Sequence, residues 1–305
     1  MLSSLLKGIK LSLHNRRLIF VYYLANLVFA LIVMVPFRST LMSFAGNTLM
    51  GEKLAGRMDM DFAVEFIVRN STTLGSLTFL LLVAAWLYWI FNLYLSGGAY
   101  VVLASGETYD PVRFWGNAGN YFGRFIRLFL WSIPLLVVFY CIQFVVPLVV
   151  RLVWGSDPYQ SILWWSRWVR VGLAYWGILM YLIVFDYARI FAIMTDEPGM
   201  GKALRRGFRF SFKHVVTTFG ISLTLFATGF LMLLVYNPLA DALHAPNVFA
   251  IVALLIVQQT YIFLRMALRL TLYASQAHLY QKHHPKRTEE KLDSIQSVVI
   301  QPASE

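Results

Sequence analysis

The chain has 305 residues, of which 59% are hydrophobic and 13% charged, where a soluble domain carries roughly 25% charged residues. Its net charge is +11, yet Lys and Arg gather beside apolar segments, as in proteins that orient themselves in a bilayer, so nucleic-acid binding is set aside. The single cysteine, Cys141, sits in an apolar run; alone it makes neither an internal disulfide nor a multi-ligand metal site.

A hydrocarbon core of ~30 Å takes about 20 apolar residues in a helix. The chain opens with Lys7, Lys10, Arg16 and Arg17 ahead of the apolar stretch Leu18–Pro36. That stretch exceeds the ~7–15-residue core of a signal peptide and lacks a small-x-small cleavage site, which predicts an uncleaved first span. The loop Phe37–Thr73 follows. Within it, residues 61–69 alternate as an amphipathic helix suited to the outer leaflet. Asn70-Ser71-Thr72 has the form of a glycosylation acceptor, but its expected role is to cap the second span, Leu74–Ser96. The small residues Ser96-Gly97-Gly98-Ala99 permit close helix packing, the expected role, or a kink.

Asp110-Pro111 predicts a helix start, with Asp at the N-cap and Pro at the first helical position. Phe125–Val153 is the third span, with kinks expected at Pro134 and Pro147. Trp154, Trp164, Trp165 and Trp168 flank the next loop, where indole rings favour the headgroup layer. Val171–Met194 is the fourth span. Glu197-Pro198 is a weaker copy of the Asp-Pro start. Val215–Tyr236, closed by Asn237-Pro238, and Asn247–Tyr273, opened after Ala245-Pro246, complete six spans. Continuous apolarity excludes barrel strands, which are shorter and alternate. The expected fold is an all-α integral membrane domain over residues 1–280, and a polar, disordered cytoplasmic tail over 281–305.

With the N-terminus inside, the inner segments hold 16 Lys and Arg and the outer segments 6. The positive-inside rule then puts both termini in the cytoplasm.

Residues 7–14 (KGIKLSLH) and 206–213 (RGFRFSFK) share an order of basic, glycine, apolar, basic, apolar, serine, apolar and basic-or-His. A weaker copy spans 117–124 (NAGNYFGR). Each precedes an odd-numbered span, so the chain reads as three units of an interfacial segment plus two spans. Lys7, Lys10, Arg124, Arg205, Arg206, Arg209 and Lys213 would form a basic collar able to meet anionic lipid headgroups or an acidic partner protein, at about 1 kcal/mol per cation. The alternative is that these segments are basic merely as juxtamembrane segments.

Asp186 and Arg189 in the fourth span, and Arg265 and Arg269 in the sixth, are charges inside the membrane and hence candidates for function. A pair between Asp186 and Arg265 or Arg269 would lower the cost of burial. The favoured reading is a structural clamp, ahead of a substrate or proton site and of arginines that snorkel alone. Gln143, Gln258, Gln259 and Asn92 suit interhelical hydrogen bonds.

Metalloprotease, nucleophile-elbow and phosphate-loop motifs are absent. Ser4 to Lys7 fits a Ser-x-x-Lys pattern but lacks its companion motifs, and His283-His284 has no ligand set beside it. No cofactor or metal is expected.

The stretches Asp186-Tyr-Ala-Arg189 and Ala203-Leu-Arg-Arg-Gly-Phe-Arg-Phe210, ahead of an apolar span, resemble those of uncharacterised bacterial six-helix inner-membrane proteins, akin to the membrane domain attached to some glycerophosphodiester phosphodiesterases. The resemblance extends in layout over residues 1 to 280. It implies a bacterial inner-membrane location; no phosphodiesterase catalytic domain accompanies it, so that activity is not implied. The expectation is a non-enzymatic protein that organises lipid or partner proteins at the cytoplasmic leaflet; the alternative is a transporter or transport accessory subunit.

Overall fold

The structure, a computed structural model, describes residues 1–45, 60–243 and 247–284. The tail beyond His284 and the Ala245-Pro246 lead into the sixth span lie outside the described residues. Among the described residues every regular element is helical: α1 (Leu2–His14), α2 (Arg16–Ala45), α3 (Met60–Arg69), α4 (Ser71–Ser105), α5 (Pro111–Cys141), a 3₁₀ turn (Ile142–Phe144), α6 (Val145–Trp154), α7 (Gln160–Thr195), α8 (Met200–Lys213), α9 (Val215–Ala242) and α10 (Val248–His283).

Six stretches are long and apolar enough to cross a membrane: α2, α4, α5 through α6, α7, α9 and α10. They coincide with the six predicted spans, and most overrun them. Pro36, the last residue of the predicted first span, and Pro238, expected to end the fifth, lie inside α2 and α9. Proline removes one backbone donor, whereas ending the helix would strand several polar groups in an apolar medium. The third span breaks at the 3₁₀ turn, between Pro134 and Pro147.

The outer surfaces carry the signature of a lipid solvent. Phe79, Leu82, Trp86, Phe226 and Leu231 are each more than half exposed, a density of apolar surface that water does not tolerate. In the most apolar window of α7, 83% of residues are buried, against 6–17% in the other spans. That makes α7 the helix the rest of its unit is built around.

The contacts divide the chain into two compact units. One comprises the described parts of Met1–Leu11, Gly97–Thr224 and Thr271–Glu305; the other, those of Ser12–Ser96 and Leu225–Leu270. In the first, α7 packs against α5, the 3₁₀ turn, α6 and α8. Gly177 makes one such crossing possible: a Cβ there would lie 2.4 Å from the Phe139 carbonyl oxygen. In the second, Phe62 and Phe66 of α3 pack with Leu41, Phe44, Ala45 and Leu74. The Tyr23 hydroxyl donates to Gln259 at 2.7 Å.

The three sequence copies take two forms. The first and third are separate helices, α1 and α8, broken from the following span at the equivalent residues Asn15 and His214. The middle copy continues straight into its span, because Phe125 stands at that position, fully buried and apolar. Asp110 starts α5 as expected, its carboxylate accepting from the Val112 amide at 3.3 Å. Glu197-Pro198 starts nothing. Gly199 caps α8 without a side chain, and the chain turns at Asp196, which has φ +49°. Asn70 departs similarly from its expected role. Its amide donates to the Phe66 carbonyl at 3.1 Å, closing α3.

Within the first unit, each copy presses the small residue at its second position on an even-numbered span. A Cβ on Gly8 would lie 2.0 Å from Ser275 Oγ, and one on Gly207 2.7 Å from the Ala188 amide nitrogen. In the middle copy the equivalent residue is Ala118, whose Cα lies 3.4 Å from where a Gly97 Cβ would be. The partners follow a rotation: the first copy meets the sixth span, the second copy the second span, and the third copy the fourth.

Candidate functional site

Two polar assemblies stand out in the first unit. The buried one lies where the ends of α4, α7 and α10 meet. Asp186 and Arg189 are three apart on α7, so they share a face, and they pair directly. Only 8% of Asp186 and 7% of Arg189 is exposed. Gln276 on α10 donates its amide to the second Asp186 oxygen at 3.1 Å and accepts from the Tyr100 hydroxyl at 3.4 Å. The guanidinium faces the rings of Phe185, Tyr100 and Tyr273 at 4.8, 5.2 and 5.6 Å. An opposite charge, an amide and aromatic faces together replace the water that both ions lose.

Among the described residues Asp186 is held by Arg189 and Gln276, whereas the sequence reading turned on Arg265 or Arg269. Those two arginines belong to the second unit. Arg269 donates to Asn92 at 2.7 Å and faces the Tyr22 ring at 5.8 Å; Arg265 is exposed. A guanidinium with a neutral amide acceptor is less costly than one with nothing, which is what a partly buried arginine in an apolar span needs.

The second assembly is the polar side of α8. Met200, Ala203, Gly207, Phe210 and Ser211 are buried, at spacings of three and four that mark one helix face. Lys202, Arg205, Arg206, Arg209 and Lys213 are exposed. Lys202 lies 3.6 Å from Glu197. Among the described residues no carboxylate comes within ion-pair reach of Arg205, Arg206, Arg209 or Lys213. Lys7 and Lys10 on α1 are likewise exposed. Arg124 differs from the rest of the collar, because it is paired with Asp196.

Beside α8 is a cavity of about 420 Å³ that composition alone could not reveal. It is lined by Arg206, Arg209, Lys213, His214, His283 and His284, with Phe191, Phe210 and Tyr280 as walls. The His214 and His283 rings lie 4.3 Å apart, and His284 stacks on Tyr280 at 4.6 Å. Burial first, and then His283, Lys213 and His284, hold the His214 imidazole below its ordinary value.

Sequence reasoning missed Tyr100, Tyr273 and Gln276, and treated His283-His284 as tail. One signal was available. The spacing from Tyr100 to Ala118 equals that from Arg189 to Gly207. Extending the repeat to the ends of the even spans would have aligned Tyr100 with Arg189. No pattern in the sequence joins His214 to His283; only the fold brings them together.

These features define an all-α integral membrane protein of six candidate spans, with a buried ion pair and an uncompensated basic helix face. Compared with protein-family models, curated proteins and solved structures, the chain matches none of them.

Proposed function

We infer that the chain is a non-enzymatic integral membrane protein that organises anionic lipid or a partner protein at the cytoplasmic leaflet. The observation that carries this reading is the row of exposed, uncompensated cations on α8. On an amphipathic helix lying at the interface, such cations attract anionic headgroups while the buried face holds the helix to the protein. The charge bias between loops supports a topology with both termini in the cytoplasm. The resemblance to bacterial six-helix proteins supports the inner membrane as its location.

The test is native mass spectrometry of the protein extracted gently from its own membrane. We expect anionic lipid or a partner to be retained, and to be lost from the Arg205→Gln/Arg206→Gln/Arg209→Gln variant. Equal retention by the variant would overturn the reading. A second reading, a transporter or transport accessory subunit, draws on the buried Asp186–Arg189 pair, since intramembrane charges serve transport sites. Asp186→Asn separates the two: a transporter would fold and lose transport, whereas a clamp would lose stability.

A further inference from the structure

The collar reading treats the cations as a field. The cavity beside α8 is more specific, because it has walls, a finite volume and donors converging from separate segments. Arg206, Arg209 and Lys213 come from α8, His214 from the turn after it, and His283 and His284 from the end of α10 and the residue following it. Phe191 of α7 closes the cavity without adding charge, and Arg206 lies 4.9 Å over its ring. Among the described residues no carboxylate lines the cavity. Three permanent cations repel a metal ion, and among the described residues no three His, Cys, Asp or Glu side chains are grouped to hold one; the cations call instead for an anion with several acceptor oxygens.

The imidazoles are set up for such an anion. His283 Nδ1 lies 2.9 Å from the Leu279 carbonyl oxygen, and His284 Nδ1 3.3 Å from that of Tyr280. A carbonyl only accepts, so each Nδ1 carries the hydrogen and Nε2 of the neutral ring holds a lone pair. Protonation turns Nε2 into a donor and adds a positive charge. The His283 ring, 4.3 Å away, opposes protonation of His214, and an anion beside the two relieves that opposition.

We propose that Arg206, Arg209, Lys213, His214, His283 and His284 form one binding site for a phosphate group, supplied by a lipid phosphodiester headgroup or by a free phosphate. The site rests on the collar reading and narrows it to one stoichiometric, pH-dependent ligand. Its occupancy rises as the medium acidifies. Among the described residues the groups facing His214 are His283, His284 and Lys213, all basic, so none of them offsets its charge.

The test uses the full chain in neutral maltoside micelles. One arm titrates dihexanoyl phosphatidylglycerol; the other titrates inorganic sulfate, a phosphate mimic. Both probes keep a fixed charge from pH 5.5 to 7.5, so any pH dependence belongs to the protein. Binding is followed by native mass spectrometry for the lipid and by thermal shift for sulfate. We expect one equivalent to bind, with Kd falling about tenfold on acidification, as one coupled pKa unit gives. The His214→Gln/His283→Gln variant should flatten the pH dependence, and Arg209→Gln should weaken binding about tenfold at both pH values. Saturation in the lipid arm alone identifies a headgroup site, and saturation in the sulfate arm identifies a free-anion site; each supports the proposal. A Lys7→Gln/Lys10→Gln variant separates this site from the collar. If it weakens lipid binding as much as Arg209→Gln does, with no pH step in either arm, the pocket is overturned and the collar stands. If neither probe binds the native chain, both readings fall.

Discussion

Asp186 and Arg189 show how a membrane protein keeps two ions in its interior. The pair is close on one helix turn, but the second carboxylate oxygen is satisfied by Gln276 from another helix. Asp186→Asn should therefore cost about 3–5 kcal/mol, because it leaves a guanidinium buried without its counter-charge. The drop is measurable as thermal stability in detergent. Asp186→Leu combined with Arg189→Met should recover most of it, since two apolar side chains need no partner there. Gly207 is a second sensitive residue. A methyl group would sit 2.7–2.9 Å from the Ala188 backbone and side chain, so Gly207→Ala should destabilise by roughly 1–3 kcal/mol through forced separation of α7 and α8. Gly123 is the control, with open space around it.

At the scale of elements, the capping of α5 gives a local test. Asp110→Ala removes the acceptor for the Val112 amide and should cost about 1 kcal/mol. Glu197→Ala should leave the start of α8 intact, because Gly199 caps it. The six spans were legible in the sequence because twenty apolar residues in a bilayer admit essentially one backbone conformation. Their ends were less legible. Pro238 read as a stop, yet a helix surrounded by apolar groups runs through it. The Ser96–Ala99 stretch was read correctly as a packing surface, Gly98 lying against the Phe114 backbone. The spacing of Asp186 and Arg189 put them on one face, but their Gln276 partner was not legible. Spacing along one helix shows which residues share a face, but not which neighbouring helix that face meets. His214 and His283 escaped for the same reason, since their proximity depends on how α8 and α10 end.

For the whole molecule, the proposed topology puts both termini on one side of the bilayer. In a Cys141→Ser background, single cysteines at Ser3 and Ser294 should react with an impermeant maleimide only after right-side-out vesicles are opened; reaction of either in sealed vesicles would overturn it. The rotating contacts of the three copies carry a further consequence, for biosynthesis. Gly8 docks on Ser275, and Ser4 lies 3.3 Å from His278, 274 residues away in the chain. α1 thus waits for α10, far later in synthesis, before it can seat. Until then its glycine face has no partner, and a chain stalled before the sixth span would display that face to insertases and proteases. An unfinished copy is marked by its own unseated α1.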